Sequence, residues 1–352
     1  MSSLVFTRRA CAGTVGRLMN RRLLLSALVS AGFLLSLCGC LIFKPIPVVG
    51  SGYRIMPGFR IVGYFPSWSG EPEDIQYEAL THIDYAFMTV TAQGCYQVVA
   101  NPGKLARLAA MAHAHGVQVL ASLGGDNDGK TDAFETVAAD PAITTVFIES
   151  TMSLVNAFHL DGIDMDWEFP TRAAADSYAV MMHRLAERLH AEGKILTAAV
   201  SADGWNGSRI QGSVIADVDF LNIMAYDDGY RQVGVHHSSY DFALAAVRYW
   251  RDERGAPPAK VILGVPFYGR NLKTRRSLMF KTIIARDFNA PGKDVSGEYG
   301  YNGFATLRDK TLRLARNLGG GIMIWQIAQD APGDRSLLNA IYDAVKVPRE
   351  DW

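Results

Sequence analysis

The 352-residue sequence predicts an α/β fold, a single (β/α)8 or TIM barrel, on three observations. Apolar, strand-like runs recur eight times, at residues 60–65, 82–89, 117–123, 162–168, 195–201, 220–226, 261–268 and 321–326, and eight is the number that closes a parallel barrel. Helical segments separate them: residues 104–115, 133–159, 173–191, 240–254 and 307–317 repeat apolar residues at spacings of three and four. Gly116, Gly193, Gly255 and Gly319 follow four of these segments at once or nearly so, as termination through a left-handed residue requires. Strands alternating with helices of this length argue for one barrel domain. The alternative, a doubly wound open sheet, wants a Gly-rich phosphate turn after its first strand, and Pro66-Ser67-Trp68-Ser69-Gly70 is not one.

Ahead of the first strand, Asn20-Arg21-Arg22 precedes an apolar stretch that ends Leu37-Cys38-Gly39-Cys40. A basic segment, an apolar segment and small residues before a cleavage point make an export signal over residues 1–40. Met19, directly before the basic segment, is a second candidate start. Cys40 after Gly39 resembles a bacterial lipobox, whose cysteine is acylated and opens the mature chain, although Cys38 departs from the small or β-branched residue usual at its position. Leu41 gives no reason for retention at an inner membrane, so a lipid-anchored outer-membrane protein is expected, with secretion or a periplasmic location as the alternative. The same stretch, about 18 apolar residues, is also just long enough for a membrane-spanning anchor. Residues 41–59 are rich in Pro and Gly and read as a flexible tether, residues 60–347 as the domain, and residues 348–352 as a tail.

Charge is balanced, with 35 Lys and Arg against 35 Asp and Glu, and no run of like charge is long enough to hold a polyanion; nucleic acid is not an expected partner. Processing at Cys40 would leave Cys95 as the one other cysteine. The domain is therefore expected to stand without an internal disulfide, on the size of its core.

The fourth predicted strand carries Asp161-Gly-Ile-Asp164-Met-Asp166-Trp-Glu168. Asp164, Asp166 and Glu168 sit at a period of two, so a strand turns all three to one face, with successive acids about 6–7 Å apart. Carboxylates that close cannot all ionise, so one of them can hold a proton near neutral pH. Paired carboxyl groups of this kind are the equipment of glycoside hydrolysis. An acidic loop or a divalent-metal site is the other reading of the same residues, but apolar Ile163, Met165 and Trp167 alternate with the acids as a strand with one packed face requires. In a barrel, Tyr64, Gly124, Gly125, Asp166, Glu168, Tyr226, Asp227, Tyr268, Arg270 and Trp325 all fall near the carboxyl ends of the strands, where such barrels carry their active sites.

These motifs resemble the family 18 glycoside hydrolases, the chitinase family, over nearly the whole domain. The acidic run is similar to that family's fourth-strand signature, Ser122-Leu-Gly124-Gly125 to its third-strand motif and Met224-Ala-Tyr226-Asp227 to its sixth-strand motif; Gly63-Tyr-Phe-Pro-Ser-Trp68 and Trp325 complete the pattern. The resemblance implies retaining hydrolysis of chitin or N-acetylglucosamine oligosaccharides, in which the substrate's own acetamide is the nucleophile. Glu168 would be the acid and base, Asp166 would orient the acetamide, Asp164 would share a proton with Asp166, and Tyr226 would donate to the acetamido oxygen. Trp325 would floor the sugar pocket, with Tyr64, Trp68, Asp227, Tyr268 and Arg270 as further contacts. Asp161, Ser122, Gly124 and Gly125 are expected to be structural. No metal or cofactor is implied.

Members that act from a chain end often carry an α+β insertion between strands seven and eight. Only residues 271–318 separate those strands here, so a barrel without a large insertion and a shallow cleft are expected, with Trp68, Trp205, Tyr230 and Tyr301 as the cleft aromatics and Trp250 in the core. An endo-β-N-acetylglucosaminidase acting on glycoprotein glycans shares these motifs; a binding-only, lectin-like member would lack the acid that Glu168 supplies.

Overall fold

The computed structural model describes residues 52–96, 99–126, 132–229 and 232–349. The export signal, Cys40 and Tyr230 lie outside the described residues. Strand β1 (Tyr53–Ile55), within the segment read as a tether, pairs antiparallel with Lys346–Pro348 at the far end of the chain. The barrel follows: β2 (Arg60–Pro66), β3 (His82–Met88), helix α1 (Pro102–Ala114), β4 (Gln118–Gly124), α2 (Asp132–Ala139), α3 (Pro141–Phe158), β5 (Gly162–Asp166), α4 (Ala175–His190), β6 (Ile195–Ser201), α5 (Gly212–Asp217), β7 (Phe220–Met224), α6 (Tyr240–Arg248) and β8 (Val261–Pro266). The circle closes where the last barrel strand, Gly321–Trp325, pairs in parallel with both β8 and β2.

All eight predicted strands are present at nearly the expected positions because strands packed on both faces read as apolar runs. Their outer faces meet the helices through residues such as Ile163, Met165 and Trp167. A smaller apolar group, Val62, Tyr64, Ala86, Phe220, Ile262 and Met323, fills the barrel interior. The segment 133–159, expected as one helix, is two. Asp140 accepts from the backbone N–H of Ala142 (2.8 Å) and Ile143 (3.3 Å) and so caps α3, while Pro141 occupies the first turn, where its missing N–H costs nothing. Trp250 is buried as expected and donates from Nε1 to Ser201 O at 2.9 Å.

Between the seventh and eighth barrel strands the expectation of no large insertion is overturned. Strands β9 (Tyr268–Asn271), β10 (Ser277–Met279), β11 (Val295–Ser296) and β12 (Tyr299–Gly300) form a four-stranded antiparallel sheet in the order β10-β9-β12-β11, and helix α7 (Phe280–Arg286) packs beside it. Strands of two to four residues are too short to show a period of two, and β9 continues the apolar run of β8 without a turn signal, so the insertion starts earlier than the sequence implied. Phe280, Ile283 and Tyr301 are buried and join it to the main core of the domain. Tyr301 is therefore not a cleft aromatic: it is 1% exposed and its hydroxyl donates to Ala290 O at 2.8 Å. Among the described residues no helix is long and apolar enough to cross a membrane.

After the insertion come α8 (Phe304–Asp309), which runs on into a wider turn at Lys310–Arg316, then β13 (Gly321–Trp325), α9 (Leu337–Val345) and β14 (Lys346–Pro348). Lys310 is fully buried where insertion and barrel meet. Its ammonium donates to Ser238 O (2.9 Å), Ser238 Oγ (2.8 Å) and Asn302 Oδ1 (2.8 Å), and burial lowers its pKa from 10.5 to about 7, against a small opposing pull from Asp294. Because the folded-state value lies below the unfolded one, the unfolded chain binds the extra proton between about pH 7 and 10.5, and this group makes stability rise with pH across that window. Lys310→Met keeps the length of the side chain without the charge. The melting-temperature gap between wild type and this variant should widen, in favour of wild type, from pH 7 to pH 9; a gap that does not change with pH would refute the titration.

Candidate active site

The pairing register sets Ser122 on β4 and Thr197 on β6 beside Asp164 on β5, and Asp164 takes hydrogen bonds from both. Its Oδ2 accepts from Ser122 Oγ (2.8 Å) and Tyr64 Oη (2.7 Å), its Oδ1 from Thr197 Oγ1 (2.7 Å) and Asn222 Nδ2 (3.2 Å). Burial raises the pKa of Asp164, and these donors pull it back by favouring the charged form. Asp166, one strand repeat further up and 3% exposed, is pushed far above the ordinary carboxylate value by burial and then by the charges of Glu168 and Asp164. It hydrogen-bonds Glu168, a contact that raises the pKa of Asp166 and lowers that of Glu168. The proton therefore sits on Asp166, which is the donor. Asp164, which lies beneath Asp166, raises the pKa of Asp166 through its charge.

Glu168 lies beyond the end of β5. Burial, followed by the charges of Asp126 and Asp227, lifts its pKa to about 7, while the bond from Asp166 works in the opposite direction. Beneath the row sits a carboxyl group that sequence reasoning missed. Asp84 on β3 is fully buried, accepts from Asn222 Nδ2 at 3.1 Å, and has no partner for Oδ1 among the described residues. Burial and the charge of Asp164 push its pKa well up.

Two glycines let the third strand turn against the acids. Gly124 has φ +116°, and a Cβ there would stand 2.2 Å from Asp166 O; Gly125 has φ +84°, and a Cβ there would meet the Phe87 ring at 2.5 Å. The backbone N–H of Gly125 donates to Asp166 O at 2.8 Å, fixing that approach.

On the opposite rim Asp227, itself at φ +62°, accepts from Tyr268 Oη (2.8 Å), from Arg270 Nη2 (2.6 Å) and from Arg270 Nε. His237 Nδ1 lies 3.3 Å from the same carboxylate. Burial alone would raise the pKa of Asp227, but Arg270 and His237 more than offset it and hold the carboxyl well below its ordinary range. The floor is aromatic. Trp325 stacks on Phe87 with centroids 5.5 Å apart and meets the edge of Tyr64 at 5.5 Å.

These groups line one cleft of about 670 Å³ at the carboxyl end of the barrel. It brings together Tyr64, Trp68, Gly124, Asp166, Glu168, Tyr226, Asp227, Tyr268, Arg270 and Trp325, with Asp126, Phe87 and Gln329 added to the set expected from sequence. Ser122 and Asp164 lie beneath it. Tyr226 has its hydroxyl 3.9 Å from Met323 Sδ, toward which it donates. Asp161 is elsewhere: its Oδ2 accepts from Val119 N at 2.8 Å and meets His113 Nε2 at 2.8 Å. Trp205 is 74% exposed and outside the cleft lining. Far from shallow on every side, the cleft has Tyr268, Arg270 and Ser277 of the insertion in its wall. A polar residue recurring inside an otherwise apolar run, as in His82-Ile-Asp84 and Phe220-Leu-Asn222, was the signal available for the missed interior groups.

Coupled carboxyl groups over the mouth of a parallel barrel, facing an aromatic floor, define a glycoside hydrolase. The chain belongs to family 18 of the glycosyl hydrolases, whose family model matches residues 60–330. Among its relatives is chitinase A1 of Niallia circulans, 25% identical over 299 residues, a match covering 60% of this chain and 42% of that protein. The chain thus spans less than half of that relative. A chitinase crystal structure from Bacteroides thetaiotaomicron superposes with a TM-score of 0.73 at 27% identity, covering 82% of this chain and 96% of the other. A family 18 chitinase from the chitin utilization locus of Flavobacterium johnsoniae gives 0.72 at 28% identity, over 82% and 94%.

The contact at Gly124 gives a direct test. Gly124→Ala forces a Cβ onto Asp166 O in a backbone conformation that L-residues rarely adopt, and the variant should lose about 3 kcal/mol of stability in urea unfolding. Wild-type stability in that variant would show that the turn has freedom to move away.

Proposed function

We propose that the protein hydrolyses β-1,4 linkages between N-acetylglucosamine units of chitin or chito-oligosaccharides, with retention of configuration and with the substrate's acetamide as nucleophile. The observation that carries this reading is the pair Asp166–Glu168: a carboxyl group with a pKa of about 7, open to a cleft, hydrogen-bonded to a neighbour that holds its own proton. A general acid works best with a pKa near the working pH. Glu168 protonates the glycosidic oxygen and later takes a proton from water. Asp166 turns from Glu168 to the acetamide N–H, orients its oxygen toward the anomeric carbon, and, as its proton passes to Asp164 beneath it, balances the positive charge of the oxazolinium. Tyr226 donates to the acetamido oxygen, and Trp325 offers an apolar face to the sugar. Asp227, clamped by Arg270, has carboxylate oxygens at the rim for sugar hydroxyls. The natural setting we propose is an exported, lipid-anchored protein acylated at Cys40.

Glu168→Gln keeps the size of the side chain but has no proton to deliver, so turnover on chito-oligosaccharides should fall by a factor of at least about 10² with binding largely kept. Proton NMR of wild-type reactions within the first minutes should show the β anomer as the initial product; predominant α anomer, or near wild-type turnover by the Gln variant, would sink the mechanism.

The anchor is tested separately. Intact-mass analysis of membrane-extracted protein should find a mature chain that starts at acylated Cys40. Recovery of the unprocessed chain from the cytoplasm would refute it.

A further inference from the structure

Three aromatic rings form a row along the cleft. Trp325 stacks on Phe87, and Phe87 meets Trp68 with centroids 6.0 Å apart at a tilt of 37°. Trp68 lines the cleft yet is 62% exposed. An indole that leaves most of its surface in water takes its place from its backbone rather than from the packing of its ring. That backbone is the turn that ends β2. Ser67 N ties the start of the turn to β3 by donating to Ala86 O at 2.7 Å, and Gly70, at φ +73°, leaves it where a Cβ would stand 2.8 Å from the Ala328 side chain.

The middle of the turn is clamped by a buried cation. Lys104, in the first turn of α1 and 2% exposed, donates from its ammonium to Pro66 O (2.8 Å) and Ser69 O (2.7 Å), the two residues that flank Ser67 and Trp68. The same ammonium stands 4.2 Å from the centroid of the Phe65 ring. An ammonium has three donors and no acceptor, and two carbonyls and an aromatic face occupy this one. Glu71, whose charge acts on Lys104, pairs instead with Arg107 at 2.8 Å. Burying a cation without a counter-ion is costly, and the contacts that offset the cost here all fall on this one turn and the residue before it.

We infer that Lys104 is a positioning residue for the substrate: by clamping the turn it fixes Trp68 at the end of the aromatic row, and so sets how tightly the site holds an oligosaccharide long enough to reach past Trp325. The inference rests on the hydrolase reading above. Lys104 touches no substrate itself. Its effect passes through the Trp68 backbone, where a ring set in place before binding spares the complex the cost of ordering it.

The experiment measures kcat and KM on chito-oligosaccharides from the trimer to the hexamer for wild type, Lys104→Met, Trp68→Ala and the double variant. Met keeps most of the length of the lysine side chain and none of its donors. In wild type, kcat/KM should rise with chain length. In Lys104→Met the KM for the hexamer should rise about threefold to tenfold, the range of one aromatic contact, with kcat kept and the trimer little affected. Trp68→Ala should do the same, and adding Lys104→Met to it should change nothing more, because two groups that act through one contact are not additive. If Lys104→Met does not fold, Lys104→Gln carries the test: its amide is neutral and one bond shorter, cannot serve both carbonyls, and should give a smaller loss of the same kind. No gain with length in wild type, an equal loss on trimer and hexamer, or a full further loss in the double variant would overturn the inference. Failure of wild type to cleave any of the oligomers would instead overturn the hydrolase reading itself.

Discussion

The carboxyl group of Asp164, buried inside the barrel, governs the rest of the site. A charge so placed costs several kcal/mol unless hydrogen bonds replace its water, and here Tyr64, Ser122, Thr197 and Asn222 supply them from β2, β4, β6 and β7. Asp84, Asp164 and Asp166 cannot all ionise without stacking like charges in a medium that screens them poorly. Asp84 and Asp166 are pushed furthest up and keep protons. Asp166 then has one to share with Glu168, and the ionisation pattern at the top of the row follows from four hydroxyl and amide groups well below it.

The rim works by the opposite rule. Asp227 is stripped of any tendency to protonate by a bidentate guanidinium and a buried histidine. Two carboxyl groups within one cleft thus sit far apart in acidity, one poised near neutrality and one permanently charged, because one faces other acids and the other faces Arg270. That separation is what allows a single pocket to hold both an acid and a fixed acceptor.

The strands and the acid row were legible because each is a local pattern: an apolar run for the one, a period of two for the other. Asp84, Thr197 and Asn222 were not, since each is a lone polar residue in an apolar stretch and gains significance only when closure brings β3, β6 and β7 round to β5. The insertion was missed for a related reason, its strands being shorter than the window over which alternation can be seen. Tyr301 was misread with it, as an aromatic in a Gly-rich loop looks like a surface contact until Phe280 is found packed against it at 5.7 Å. The break between α2 and α3 was written in the sequence all along, as a capping Asp140 followed by Pro141.

Strand β9 pairs with β10 on one side and β12 on the other, and it also carries Tyr268 and Arg270, which hold Asp227. Cleft depth and acidity at the rim are therefore outputs of one piece of backbone. An engineer who trimmed this wall to admit bulkier polysaccharides would be removing the counter-ion of Asp227 in the same cut, and a wall borrowed from a relative would function only if it brought its own guanidinium to the same register.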